Sequence, residues 1–335
     1  MSRTRGWKRT RGWAVGGAIV TAFVVAILIS PGVWSTASAL SARPVSTPAK
    51  DAKCKVGNGP TEPAYDPVNH EIYVPNEISH TISVVESPCK IAGTIKLPSG
   101  SEPEAAAFDP QNNYVYVTDF GLNVVYAISG TKIVATLSSP YFDAPQAIVF
   151  DPSEGGMIVT NYGGSDFAEV FDTSVLSGGS VGSAPDALDF NALYDVLVVA
   201  NWESGNVTVL SGFATDFSVT VGSGPDGVAY DPANFREYVP NFESDSVSIV
   251  FGAGVLTTIT GLDGPSSATW SQAKMAVYVT NYGSGQVWAI GGTTGASVLQ
   301  KITLAKGIAG GAYDAANDDL YVTDITTGML YVIST

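Results

Sequence analysis

Apolar positions fall in short blocks along most of this chain, separated by small polar breaks. Tyr278–Ile290, YVTNYGSGQVWAI, is one such block: an apolar run rich in β-branched and aromatic residues, an Asn/Gly/Ser break and a second apolar run. The runs suit a pleated, buried surface and the break suits a tight turn, so the block predicts a β-hairpin. A lone hairpin is barely stable in water. This one is not alone, because similar blocks open at Tyr73, Tyr116, Ile158, Val198, Tyr238 and Tyr321. The polar residue closing the first run is Asn76, Asp119, Asn161, Asn201, Asn241, Asn281 or Asp324, at spacings of 40 to 43 residues. Eleven residues upstream of each stands an aromatic: Tyr65, Phe108, Phe150, Phe190, Tyr230, Trp270 and Tyr313. Five residues before each aromatic is a proline in six units, with Ile308 in the seventh.

A fixed period of about 40 to 45 residues with four strands per unit is the signature of a β-propeller. In the sixth unit the four strand candidates read SSATW, AVYVTN, GQVWAI and ASVLQKITL, here called a to d. The b strands are apolar on both faces, which fits sheets sandwiched between neighbouring blades. The last unit ends on strand c at MLYVIST, and AKCKVGNGP before the first unit occupies the place of a d strand. Residues 52–58 are therefore expected to complete the last blade, antiparallel to Met329–Ser334, which removes an open sheet edge. The expected fold is all-β: a seven-bladed propeller of four-stranded antiparallel blades spanning residues 52–335.

The recurring YVTN, its Ser/Gly turn and the following V-x-V strand resemble the YVTN β-propeller repeat of surface-layer-type and other exported proteins. The resemblance covers roughly residues 52–335 and marks fold far better than function. Two units depart from the aromatic-Asp-Pro pattern, with Phe190-Asn191 in the fourth and Trp270-Ser271-Gln272 in the sixth.

The first 39 residues are a different object. Arg3, Arg5, Lys8, Arg9 and Arg11 precede an apolar run, Ala14–Ser30, then Pro31-Gly32 and Ala37–Ala39. That is the order of a secretory signal peptide; uncleaved, residues 14–34 would be long enough to anchor the chain in a membrane. Residues 40–51 read as a linker. Either way the propeller is expected outside the cell, secreted or at its surface. The whole chain has a formal net charge of −15. Cleavage would leave 11 Lys and Arg against 31 Asp and Glu, about −20, so nucleic acid is not an expected partner.

Candidate chemistry is sparse. The two histidines, His70 and His80, lie in turns at opposite ends of the first blade and read as exposed surface residues. The repeated Asp of YDP (Asp66, Asp109, Asp151, Asp231, Asp314) and Asn of YVTN read as turn formers, because a residue present in every blade serves the blade. A less regular set, Glu104, Asp186 and Asp226, with Gln146 in step, follows the prolines that open strand a. Strand a lines the central channel, so these oxygens can meet near its mouth, where they would suit Ca²⁺; metal-dependent propeller lactonases and lyases use sites of this general kind. No cofactor is otherwise implied. Cys54 and Cys89 offer one disulfide if their Cα atoms lie within about 7 Å. The residue after the YVTN Asn is Phe120, Tyr162, Trp202, Phe242 and Tyr282 in five consecutive blades, but Glu77 and Ile325 in the flanking two. Such an arc reads either as packing against the next blade or as an exposed binding surface. Taken together, the sequence favours a non-catalytic binding or scaffold module for a cell-surface protein or glycan. The alternative is a metal-dependent propeller hydrolase or lyase, lactonase-like, with its site at the channel mouth.

Overall fold

In a computed structural model describing residues 52–212, 214–292 and 296–335, the chain forms seven four-stranded antiparallel sheets. The segments expected as a signal peptide and a linker, residues 1–39 and 40–51, lie outside the described residues. Among the described residues there is no helix able to cross a membrane.

Each sheet is a blade. The fourth, for example, runs through strand a at Pro185–Asn191, b at Val196–Asn201, c at Asn206–Ser211 and d at Ala214–Thr220. The last blade is completed from the other end of the chain. Lys53–Lys55 pairs with Met329–Ser334, placing Cys54 opposite Leu330. The Val332 N–H donates to the Ala52 carbonyl at 2.8 Å and the Val56 N–H to Gly328 at 3.0 Å. Cys54 is disulfide-bonded to Cys89, with a Cα separation of 5.6 Å, which joins this closing strand to the first blade.

The apolar core is divided into seven layers, one at each boundary between adjacent blades. Ile72 and Val74 of strand b in blade one pack with Tyr321 and Val332 of blade seven. Tyr73, between them, packs on the opposite face with Val115 and Val117 of blade two. Alternation of side chains across a strand therefore sends successive apolar residues into different layers, so strand b has no polar face. The large tyrosines reach across: Tyr73 Oη donates to the Gly130 carbonyl of blade two at 3.0 Å, and Tyr116 Oη to Asp172 of blade three at 3.0 Å.

The repeated polar residues hold the turns. Asp66 Oδ1 accepts from the Val68 and Asn69 N–H groups, and Asp109, Asp151, Asp231 and Asp314 accept likewise from the residue two further on. The YVTN Asn works differently. Asn201 Oδ1 accepts from the Gly182 N–H in the connection leading to strand a, while its Nδ2 donates to Asn206 Oδ1 and Thr208 Oγ1 on strand c. It pins the innermost connection to the middle of its own sheet.

Candidate functional site

The face carrying the b–c turns and the d–a connections, called the top here, frames the mouth of the central channel. Seven backbone bonds build the rim in register. The N–H of Glu77, Phe120, Tyr162, Trp202, Phe242, Tyr282 and Ile325 donates, at 2.7–2.9 Å, to the carbonyl of the residue preceding strand a: Gly59, Glu102, Ala144, Ala184, Gly224, Gly264 and Gly307. The scaffold is sevenfold, and the side chains on it are not. Phe120 and Tyr162 lie with ring centroids 6.1 Å apart, Trp202 and Phe242 5.7 Å, and Phe242 and Tyr282 6.0 Å. These separations are within the range of favourable aromatic pairs. The Trp202 and Phe242 rings lean over the next blade: a Cβ on Gly224 would stand 3.3 Å from the Trp202 ring, and one on Gly264 3.2 Å from the Phe242 ring. Both glycines also have positive φ, +60°. The arc thus packs sideways and remains partly accessible, Tyr282 most of all at 40%.

Below the rim is a cavity of about 280 Å³ whose wall includes Glu62, Glu104, Gln146, Asp186, Asp226 and Ser267. Glu104, Asp186 and Asp226 meet there, with Gln146, as the positions after the strand-a prolines require. Glu62 joins them although it stands one place further along its strand. Its segment leaves the ladder of blade one and bridges Ala105 of blade two in parallel. Glu62 Oε2 accepts from the Gly311 N–H at 3.3 Å and from Ser267 Oγ at 3.4 Å.

These carboxyls are enclosed by seven blades with no lysine or arginine on the cavity wall. Burial pushes Glu62 up to about 7 despite its hydrogen bonds to Gly311 and Ser267, with Asp186 adding to the rise. Burial also raises Glu104 well above the usual carboxylate range, helped by Glu77 and Asp186. Asp186 and Asp226 are close enough to act directly on each other. Asp226 is raised well above its ordinary value by burial and by the Asp186 charge, whereas Asp186, also raised by burial, is relieved by bonds to Asp226 and Gln146. The Tyr162 hydroxyl stands near enough to both to feel their charge. Both carboxyls of the pair are therefore raised, beneath an arc of aromatic side chains.

Among the described residues no set of three or more His, Cys, Asp or Glu is arranged to hold a metal ion. The histidines stay outside the cavity wall. His70 is exposed and bonded to Tyr65 Oη. His80, expected to be exposed, is partly buried on the top face with its Nδ1 against the Ser101 carbonyl.

No protein-family model matches the chain, and no curated protein matches it. Solved structures do. Virginiamycin B lyase from Staphylococcus aureus superposes with a TM-score of 0.74 at 13% identity, over 85% of this chain and 99% of that one. A catalytically inactive form of the same enzyme with quinupristin, carrying alanine in place of one histidine, gives 0.75 at 14% identity over the same shares. The Cps50 (Swd1) β-propeller domain of Myceliophteria thermophila gives 0.68 at 10% identity, over 85% of this chain and 98% of that one. At these identities the likeness establishes the fold. It also overturns the expectation of a non-catalytic scaffold: the first of these matches are lyases, which favours the catalytic alternative. The chain is a seven-bladed β-propeller with a carboxyl-lined channel mouth.

Proposed function

We propose that this protein is a propeller enzyme of lyase type, acting at the mouth of its central channel. The observation that carries the reading is the Asp186–Asp226 pair, two enclosed carboxyls on one cavity wall, both raised by burial and each acting on the other. An elimination needs both forms at once. A carboxylate takes a proton from carbon, the C–H electrons become the new double bond, the carbon–oxygen bond breaks, and the departing oxygen takes a proton from the neighbouring carboxylic acid. Carboxyls raised towards neutral pH are suited to both transfers. Glu62 and Glu104 deepen the negative potential that keeps the pair from losing its proton. In this reading Phe120, Tyr162, Trp202, Phe242 and Tyr282 hold the body of the substrate over the channel. The fold's likeness to lyases supports the reaction class. The carboxyl wall, with both histidines away from it, supports a different set of proton carriers from that of the histidine-dependent neighbour.

The repeated YVTN blocks support membership of the YVTN-repeat propellers, and the basic, apolar and Ala-Ser-Ala order of residues 1–39 supports export to the cell surface or medium.

The test is turnover of quinupristin and virginiamycin B, followed by mass spectrometry. Ring opening by elimination leaves the mass unchanged, whereas hydrolysis adds one water. Asp226→Asn should retain the fold and lose turnover, and Trp202→Ala/Phe242→Ala should raise KM more than it lowers kcat. A wild type that turns over neither compound, or an Asp226→Asn variant with full activity, would overturn the assignment.

A further inference from the structure

The opposite, bottom face carries a second site that the lyase reading does not use. Four residues before each YVTN Asn or Asp, strand b holds Ile72, Val115, Met157, Leu197, Glu237, Val277 and Leu320 in the seven blades. Six of these are apolar and at most 1% exposed. Glu237 takes the same inward position at 6% exposure. A charged group at a core position needs partners, and Glu237 has one. Its Oε1 accepts from Asn191 Nδ2 at 2.6 Å, while Oε2 has no hydrogen-bond partner among the described residues.

The Asn191 position is itself altered. The other blades carry Asp66, Asp109, Asp151, Asp231, Ser271 and Asp314 there. An ionised aspartate could only repel Glu237, whereas an amide donates to it. Two departures from the repeat, one in each of two adjacent blades, therefore face each other across one boundary.

They do so in the wall of a cavity of about 310 Å³ between blades four and five. Its apolar lining includes Tyr194, Val196, Phe217, Phe235 and Phe251. Tyr194, Phe235 and Phe251 are 52%, 46% and 45% exposed. Phe235 has φ +63°, a left-handed conformation that costs a bulky residue free energy. Its counterparts are His70, Asn113, Gly155, Asp195, Met275 and Asp318. Among the described lining residues there is no lysine or arginine, and Asp216 adds a second acid. The Asp189 carboxylate acts on Glu237 from strand a of blade four.

We propose that this crevice binds an amphiphilic amine, an aromatic or alkyl body carrying a protonated amino group whose N–H donates to Glu237 Oε2. The aromatic walls accept the body and attract the charge through their faces. The unmet oxygen and the surrounding acids select a cationic donor over a neutral or anionic head. Burial pushes the Glu237 carboxyl up to about 8, so below that pH an arriving ammonium must displace its proton, and affinity rises with pH until the carboxyl is already ionised.

Calorimetry of the full chain with 2-phenylethylamine, and with the neutral isostere 2-phenylethanol, tests this. The amine should bind saturably and at least tenfold more tightly at pH 8.5 than at pH 6.5, and the alcohol should bind weakly at both. Glu237→Leu restores the residue type of the other blades and should fold. It should weaken the amine at least tenfold and leave the alcohol unchanged. Glu237→Gln keeps the bond to Asn191 and should lose the pH dependence. Failure of the amine to bind the wild type, equal affinity in Glu237→Leu, or an alcohol as tight as the amine would each overturn the proposal. None of these readouts depends on turnover at the channel mouth.

Discussion

Replacing Glu62 by glutamine should stabilise the protein in alkali and leave it nearly unchanged in acid. Glu62 titrates near 4.5 when exposed and near 7 when folded. Between those values the folded state binds more protons than the unfolded state, so stability falls as pH rises through the window. The loss is absent below about pH 4.5 and complete above about pH 7. A shift of about 2.5 units at about 1.4 kcal/mol per unit is roughly 3 kcal/mol. Glu62 is reached by solvent through the mouth, so about 2 to 3 kcal/mol is the expected effect. In Glu62→Gln the amide keeps an oxygen to accept from the Gly311 N–H and Ser267 Oγ, and it carries no charge at any pH. At about 2 to 4 °C per kcal/mol for a domain of this size, the variant should melt roughly 5 to 10 °C above the wild type at pH 9. At pH 4.5 the two should melt within about 2 °C of each other. Melting followed by far-ultraviolet circular dichroism in EDTA measures this without interference from cations. An equal shift at both pH values would mean that the introduced amide acts through packing. A variant less stable than the wild type at pH 9 would mean that the Glu62 carboxylate is compensated by a group absent from the account above.

Two further outcomes concern the frame. Cys54→Ser/Cys89→Ser frees a cross-link spanning 35 residues of sequence separation, a loss of about 4 kcal/mol on the chain-entropy account; reduction of the wild type should lower its melting temperature to that of the variant, and an unchanged melting curve on reduction would remove the bridge from the closure. Asn201→Ala strands the half-buried Gly182 N–H and the buried Thr208 hydroxyl and should cost about 2 to 3 kcal/mol in urea unfolding, whereas Asn201→Asp, the residue type found at Asp119 and Asp324, should cost less than half as much; equal costs would contradict the assigned role of the side-chain oxygen.

The blade count, the strand order and the closing strand were all legible because each is stated seven times, or conspicuously missing once. Strand d of the last blade could be inferred at Lys53–Lys55 from its absence after Ser334. The channel acids Glu104, Asp186 and Asp226 were legible for the same reason, since each follows the proline that opens strand a. Glu62 was not, because Thr61 holds the matching place. What brings Glu62 in is a local detour of the backbone towards Ala105, and its trace in the sequence is a second proline, Pro63, just before the strand Ala64–Asp66. The coupling of Asp186 to Asp226 depends on the distance between two blades, which no pattern within a blade encodes. Glu237 could have been found. Aligning the seven b strands exposes one acid in a column of aliphatic residues, but a search for clustered catalytic types passes over a solitary glutamate. His80 departs from expectation because its turn reads as polar, whereas in space the Ser101 carbonyl closes over the ring.

These departures are not scattered. The Asp186–Asp226 pair in the channel, the Trp202–Phe242 ring pair on the rim and the Asn191–Glu237 bond on the bottom all join blade four to blade five. A fourth contact lies between them: the Tyr230 N–H of blade five donates to Asp189 Oδ2 of blade four at 2.7 Å. The apolar layer at this boundary is built chiefly of Val and Ala, with none of the buried tyrosines that enter the layers between blades one and two or two and three. A propeller gains stability from every boundary alike, so a sequence shaped by closure alone would fill all seven with the same aliphatic and aromatic residues. At this boundary enclosed carboxyls stand at two depths, and both oppose folding once the groups ionise. The fold provides no reason for that cost to fall twice on one seam. A ligand does, because acids left short of partners by the protein are the groups from which a bound donor or a transferred proton gains most.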